Sequence, residues 1–192
     1  DMTVLKRFRI FRDDTRGSMP TEGVMAATFL IWWYIASFQF FDAYRQKNVN
    51  LKAAYTIADM VSRQENIDEA YVNGLNTVFD YLTYSQRPTW VRVSSVYWDG
   101  TTNQYRKHWS YATGAGHLPH TDASLDAEKA RLPVMPNGDT VVLVETHMAY
   151  EPIFNIGLNA RWYDSFIVTR PRVYSCVGWL TAGVPSGCGV GS

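Results

Sequence analysis

The sequence predicts an α+β chain: a long N-terminal helix that starts as a membrane-length apolar run, a second helix packed near it, and an antiparallel sheet of four or five strands over the helical face. Three observations carry that expectation. Residues 24–41 are predominantly apolar, and helical periodicity continues from there to Ser62. A second stripe with three- and four-residue steps follows, through Ile67, Tyr71, Leu75, Val78 and Leu82. From Trp90 onward the texture becomes alternating, aromatic and β-branched.

The chain has 192 residues, and the part beyond the apolar run is long enough to bury one core of its own. Its 18 basic and 18 acidic residues balance, so no broad cationic surface is offered to a phosphate backbone and nucleic acid is not expected as a partner. Cys176 and Cys188 lie close together near the C-terminus with a Gly/Pro/Ser-rich loop between them. A bridge and two independent thiols both fit that spacing.

Four segments follow: a basic leader over 1–17, a membrane-spanning and continuing amphipathic helix over 18–63, an α+β domain over 64–180, and a small-residue tail over 181–192. Lys6, Arg7, Arg9, Arg12 and Arg16 form the basic flank, which places the leader in the cytoplasm and the bulk outside. At about 1.5 Å per residue, 24–41 extends to roughly 27 Å, close to the hydrocarbon thickness of about 30 Å. A cleaved secretory signal also opens with basic and apolar stretches. Against it, this run is long and aromatic, and the helical pattern continues past it.

Pro20 suits a first helical turn, where its missing N–H breaks no intrahelical bond. Trp32, Trp33 and Tyr34 fall near the middle of the run, where their polar atoms call for packing against another helix. Glu22 at its entrance is either a headgroup-level residue near a helix N-terminus or a functional charge. Phe41, Tyr44, Leu51, Tyr55 and Ala58, interrupted by Asn48, predict an apolar stripe that packs on the chain's own domain.

Asn66 with Glu69 has the form of a capping box for the second helix, which should run to Tyr84 and stop before Pro88. Residues 90–98 and 104–111, joined through Asp99-Gly100, read as a hairpin. A loop over 112–119 leads to a short helix capped by Thr121 or Asp122 and running through Arg131, with Pro133 beyond it. Pro136-Asn137-Gly138 turns into a strand over 140–150. Further strands are expected at 165–169, ended by Pro171, and at 173–180. The tail is free unless Cys188 ties it back.

Groups able to do chemistry are few. His117, His120, Glu145 and His147 would assemble a metal or ligand site if the 112–119 loop folded over the strand, since Glu145 and His147 share a strand face. Otherwise they are polar residues on a solvated loop and outer face, and no cofactor is expected. Arg170 and Arg172 read as ion-pairing partners or, alternatively, as an anion contact. No catalytic residue stands out, which favours a protein that is not an enzyme.

Gly17 followed by Glu22, after basic residues and before an apolar helix, resembles the processing site of type IV prepilins and pseudopilins. More closely, Phe11-Arg12-Asp13-Asp14-Thr15-Arg16-Gly17-Ser18-Met19-Pro20-Thr21-Glu22 resembles the opening of TadE/TadG-like proteins of the tight-adherence pilus system. So do residues 50–63, and in patches residues 141–152 and the Arg170-Pro171-Arg172 segment. The resemblance implies a pseudopilin-like or accessory component of pilus assembly in the bacterial inner membrane, its domain periplasmic and its partners other pilins and assembly proteins. It also implies removal of the leader after Gly17 by a prepilin peptidase, leaving Ser18 first and Glu22 able to pair with a neighbouring α-amine. Gly23 and Ser18 depart from the family pattern, which leaves a permanently anchored, unprocessed member as the other form. A membrane-anchored periplasmic ligand- or metal-binding protein or enzyme is the competing class.

Overall fold

The computed structural model describes residues 18–154, 157–186 and 188. The leader, Gly17 included, lies outside the described residues. Residues Ser18–Ser62 form a single helix of 45 residues, α1. Beyond it come β1 (Asn66–Ile67), α2 (Glu69–Thr83), β2 (Thr89–Asp99), β3 (Gln104–Ala112), α3 (Asp122–Ala127), a 3-10 turn (Lys129–Arg131), β4 (Thr140–Tyr150), β5 (Arg161–Thr169), β6 (Gly178–Thr181) and β7 (Val184–Ser186).

β2 to β5 build a four-stranded antiparallel sheet in the order β3-β2-β4-β5. Strand alternation divides it into two faces. Val91, Val93, Val142, Val144, Met148, Tyr163 and Ile167 point to one, where α1 and α2 cover them with Ala54, Ile57, Val61, Leu75 and Phe79. Val96, Val141 and Leu143 point to the other and pack under Leu125, Leu132 and Met135 of the α3 segment. With both faces covered, β4 is buried along most of its length. α1 runs antiparallel to β4, because Gln39 meets Tyr150 and Asn50 meets Thr146. We call the sheet end at Thr89, Tyr150 and Arg161 its foot.

The face α1 turns inward is not the expected stripe. Phe41, Tyr44, Leu51 and Tyr55 are exposed, and of that set only Ala58 is buried. Inward go Ala36, Gln39, Ala43, Asn50, Ala53, Ala54, Ile57 and Val61. Small side chains let the helix backbone approach the sheet closely, which the large aromatics would prevent. The buried amides pair as burial demands. Asn50 donates from Nδ2 to the Tyr163 carbonyl at 3.1 Å, and its Oδ1 accepts from the Ser165 hydroxyl at 2.7 Å.

Other boundaries also move. Asp68, not Asn66, caps α2, accepting from the Tyr71 N–H at 2.7 Å, while Asn66 is drawn into β1. α2 stops at Tyr84, whose left-handed φ of 52° ends the helix before Pro88 is reached. Its buried face is Val72, Leu75, Phe79 and Thr83; Tyr71, Val78 and Leu82 pack at its margins. α3 is capped by Thr121 as expected, but gives way at Glu128 to the 3-10 turn. β5 begins at Arg161, four positions earlier than its expected start at Ser165.

The expected strand over 173–180 shrinks to Gly178–Thr181 and leaves the main sheet. β6 pairs in parallel with β1 and antiparallel with β7, so it also runs across the expected tail boundary at 180. A Cβ at Gly178 would overlap the Asn66 side-chain oxygen, which explains glycine at that crossing. Cys176 and Cys188 are bridged, with Cα atoms 6.0 Å apart, and Trp109 Nε1 donates to the Val177 carbonyl at 2.7 Å. The tail is thereby tied to the core. Arg170 pairs with Asp139 at 2.5 Å and Arg172 with Asp59 at 3.1 Å, so both arginines make ion pairs.

Candidate functional site

Two places gather the residues singled out from sequence. The first is the exposed surface of α1. Among the described residues α1 alone is long and apolar enough to cross a membrane, and almost none of its apolar window is buried within the chain. Trp32, Trp33 and Tyr34 are 52%, 60% and 72% exposed, on a helix that projects beyond the foot of the sheet. Glu22 is exposed near the start of α1, and Ser18 is its first helical residue. A mostly apolar groove of about 980 Å³ runs along the helix, lined by Trp32, Trp33, Ala36, Phe40, Tyr44 and Gly157. An exposed apolar surface of this extent is of the kind that lipid or another helix covers.

The second place is the outer sheet face near the foot, where the 113–121 loop does fold over β4. Register puts Arg92 opposite Glu145 and Trp90 opposite His147, with Asp164 beyond on β5. Arg92 clamps Glu145 through two bonds of 2.6 and 2.8 Å, and His120 Nε2 lies 2.7 Å from the same carboxylate. Burial pushes the Glu145 carboxyl up, but the hydrogen bonds from His120 and Arg92 and the attraction of their charge prevail and hold it at about 2. Ser124 Oγ meets His120 Nδ1 at 2.8 Å, and the His120 N–H donates to Ser110 Oγ at 2.8 Å. The carboxylate therefore pins the loop to the sheet.

His117 and His147 do not join that carboxylate. They stack on opposite sides of the Trp90 ring, at centroid distances of 4.2 and 3.6 Å. Gly114, at φ 82°, makes room for this, since a Cβ there would come within 3.2 Å of the His117 ring. His147 Nδ1 lies 2.7 Å from Asp164, while burial, opposed in part by that carboxylate, lowers the imidazole pKa. Loop and strand thus bring all four candidates into one neighbourhood, but spread over two devices, a clamp and a three-ring stack. Among the described residues no group of three His, Cys, Asp or Glu side chains has the arrangement to hold a metal ion. Sequence reading missed Arg92 and Trp90, which organise the cluster; both sit two residues apart on β2, the same face spacing as Glu145 and His147 on β4.

The class these features define is an α+β protein of pilin-like layout: a long, membrane-capable apolar N-terminal helix whose second half packs on an antiparallel sheet. The disulfide fits a head domain outside the reducing cytoplasm. Comparison with family models, curated proteins and solved structures returns no match.

Proposed function

We propose that the chain is a non-enzymatic, pseudopilin-like or accessory component of a tight-adherence type IV pilus assembly system. In this reading α1 spans the bacterial inner membrane, with its N-terminus cytoplasmic and the head periplasmic. The observation that carries it is the division of α1 into two faces. From Ala36 onward small and amide residues bind the head, while Phe41, Tyr44, Leu51 and Tyr55 are left open on another face, and below the head Trp32 and Trp33 are exposed as well. A helix that only anchored would need no such asymmetry in the stretch emerging from the membrane.

Two further points support retention of the helix. α1 is unbroken from Ser18 to Ser62, and its C-terminal half supplies Ile57 and Val61 to the core. Removing the apolar run as a secretory signal would have to cut inside that helix, beside Gln39, which is 1% exposed and bonded to Tyr150. The tight-adherence assignment itself rests on the motifs around Gly17 and Glu22 and over 50–63. Processing after Gly17 by a prepilin peptidase would free the Ser18 amine to pair with Glu22 of a neighbour, since paired charges lower each other's burial cost.

A photo-crosslinking amino acid at Trp33 in native membranes tests the reading. Covalent adducts to a second copy or to another single-helix membrane subunit are expected. Lipid adducts alone, with none to protein, would contradict assembly through this face.

A further inference from the structure

We propose that the foot of the head domain is a membrane-contact surface, with Ile153 and Phe154 inserted among the acyl chains and Tyr84 and Trp162 at headgroup level. This rests on the reading that α1 spans the membrane, and adds a second, independent contact with the same lipid surface.

The argument begins with length. Head contacts reach down α1 as far as Ala36, so the apolar helix clear of the head is 24–35, roughly 18 Å at about 1.5 Å per residue. A hydrocarbon layer of about 30 Å exceeds that by about two helical turns. Glu22 marks the polar limit on the far side. The near leaflet therefore rises along α1 to the foot of the sheet. Gln39, inside the apolar run, accepts at 3.3 Å from the Phe154 N–H, so Phe154 stands at that level of the helix.

The composition of the foot matches that position. Ile153 and Phe154 are 67% and 48% exposed, and Phe154 is tied to the helix at Gln39. Trp162, one residue into β5, is 49% exposed. Across the foot, Tyr81 and Tyr84 at the end of α2 are exposed and pair at 6.2 Å. Tryptophan and tyrosine with apolar bodies and polar tips suit the headgroup layer. Arg87, paired with Glu151 at 2.5 Å, and Arg161 stand at the same end, placed to meet lipid phosphates. Elsewhere on the head, among the described residues, the large exposed apolar side chains are Leu118, Val134, Val184 and the adjacent Val173 and Tyr174.

Spin labelling of the full chain in phosphatidylcholine/phosphatidylglycerol vesicles tests this. The native cysteines are bridged, so a nitroxide is directed to one introduced cysteine at a time: Ile153→Cys, Trp162→Cys, Val134→Cys as the aqueous reference, and Phe29→Cys in the helix. All four side chains are largely exposed, which keeps the substitutions out of the core. The ratio of oxygen to nickel-chelate collision is expected to be several-fold higher at Ile153 than at Val134, with Trp162 between them. If Phe29 reads as lipid but Ile153 and Trp162 match Val134, the foot does not touch the bilayer and this proposal falls while the anchor stands. If Phe29 also reads as aqueous, both fall.

Discussion

The side-chain amide of Gln39 donates to the Tyr150 hydroxyl at 2.9 Å, locking a residue of the apolar run to the end of a central strand. Head and N-terminal helix are therefore joined directly at this point. Gln39→Leu removes the amide and both its hydrogen bonds, and leaves Tyr150 Oη and the Phe154 N–H to find other partners. Thermal unfolding in detergent is expected to show a loss of about 1–2 kcal/mol. Phe41→Ala, at a site 75% exposed, should change stability by less than about 0.5 kcal/mol.

The inverted face of α1 gives a paired test. Ile57 is fully buried and Tyr55, two residues away, is 58% exposed. Ile57→Ala should cost roughly 2–5 kcal/mol through the cavity it leaves. Tyr55→Ala should leave the unfolding midpoint of the isolated chain near wild type. Equal costs at the two sites would put the stripe back against the sheet.

Acid should unlock the loop clamp. Glu145 titrates at about 2 when folded against an ordinary 4.5, so the unfolded chain binds the extra proton between those values. The clamp's contribution is complete above about pH 4.5 and disappears as pH falls toward 2. His147, lowered chiefly by burial, acts in the same direction from the ordinary imidazole range downward. Glu145→Gln should cost roughly 3 kcal/mol at neutral pH, by leaving Arg92 and His120 without their carboxylate. It should also flatten the acid limb of a stability-versus-pH curve. An unchanged acid limb would mean the clamp does not hold in solution.

Reducing the Cys176–Cys188 bridge opens a loop of 12 residues, for which chain entropy gives about 3 kcal/mol at most. The effect should stay local, because β6 and β7 form their own small sheet with β1. Hydrogen exchange should speed up over Gly178–Ser186 and remain slow in β2 and β4. Collapse of the whole domain on reduction would contradict that separation.

Replacing His117 and His147 together separates assembly from ligand binding. Pilus assembly that survives alongside loss of metal or ligand binding would show that an assembly role alone does not describe the protein. With the assembly reading complete, only the docking of the 113–121 loop on Trp90 should weaken.

Helix length, the β2–β3 hairpin and β4 were legible because local signals agreed there: periodicity, Asp99-Gly100, and a stretch rich in β-branched residues. The orientation of α1 was not. Large aromatics marked the eye-catching stripe, but the sheet takes the face with Ala36, Ala43, Ala54 and Ile57, whose period is as clear once close approach is considered. The cap of α2 and the start of β5 shifted because pairing with distant strands decided them: Asn66 is claimed by Gly178, and Arg161 by Tyr150. Of the candidate site, spacing fits both a docked and a solvated loop, and only the shared strand face of Glu145 and His147 was legible from it. The part played by Arg92 and Trp90 was not, because cross-strand register is invisible in a single chain.

The intact mass of the protein recovered from native membranes tests the retained anchor most directly. The account requires a chain that begins at or before Ser18, with all of α1 present. A mature product beginning beyond Phe41, with the apolar run discarded, would contradict it.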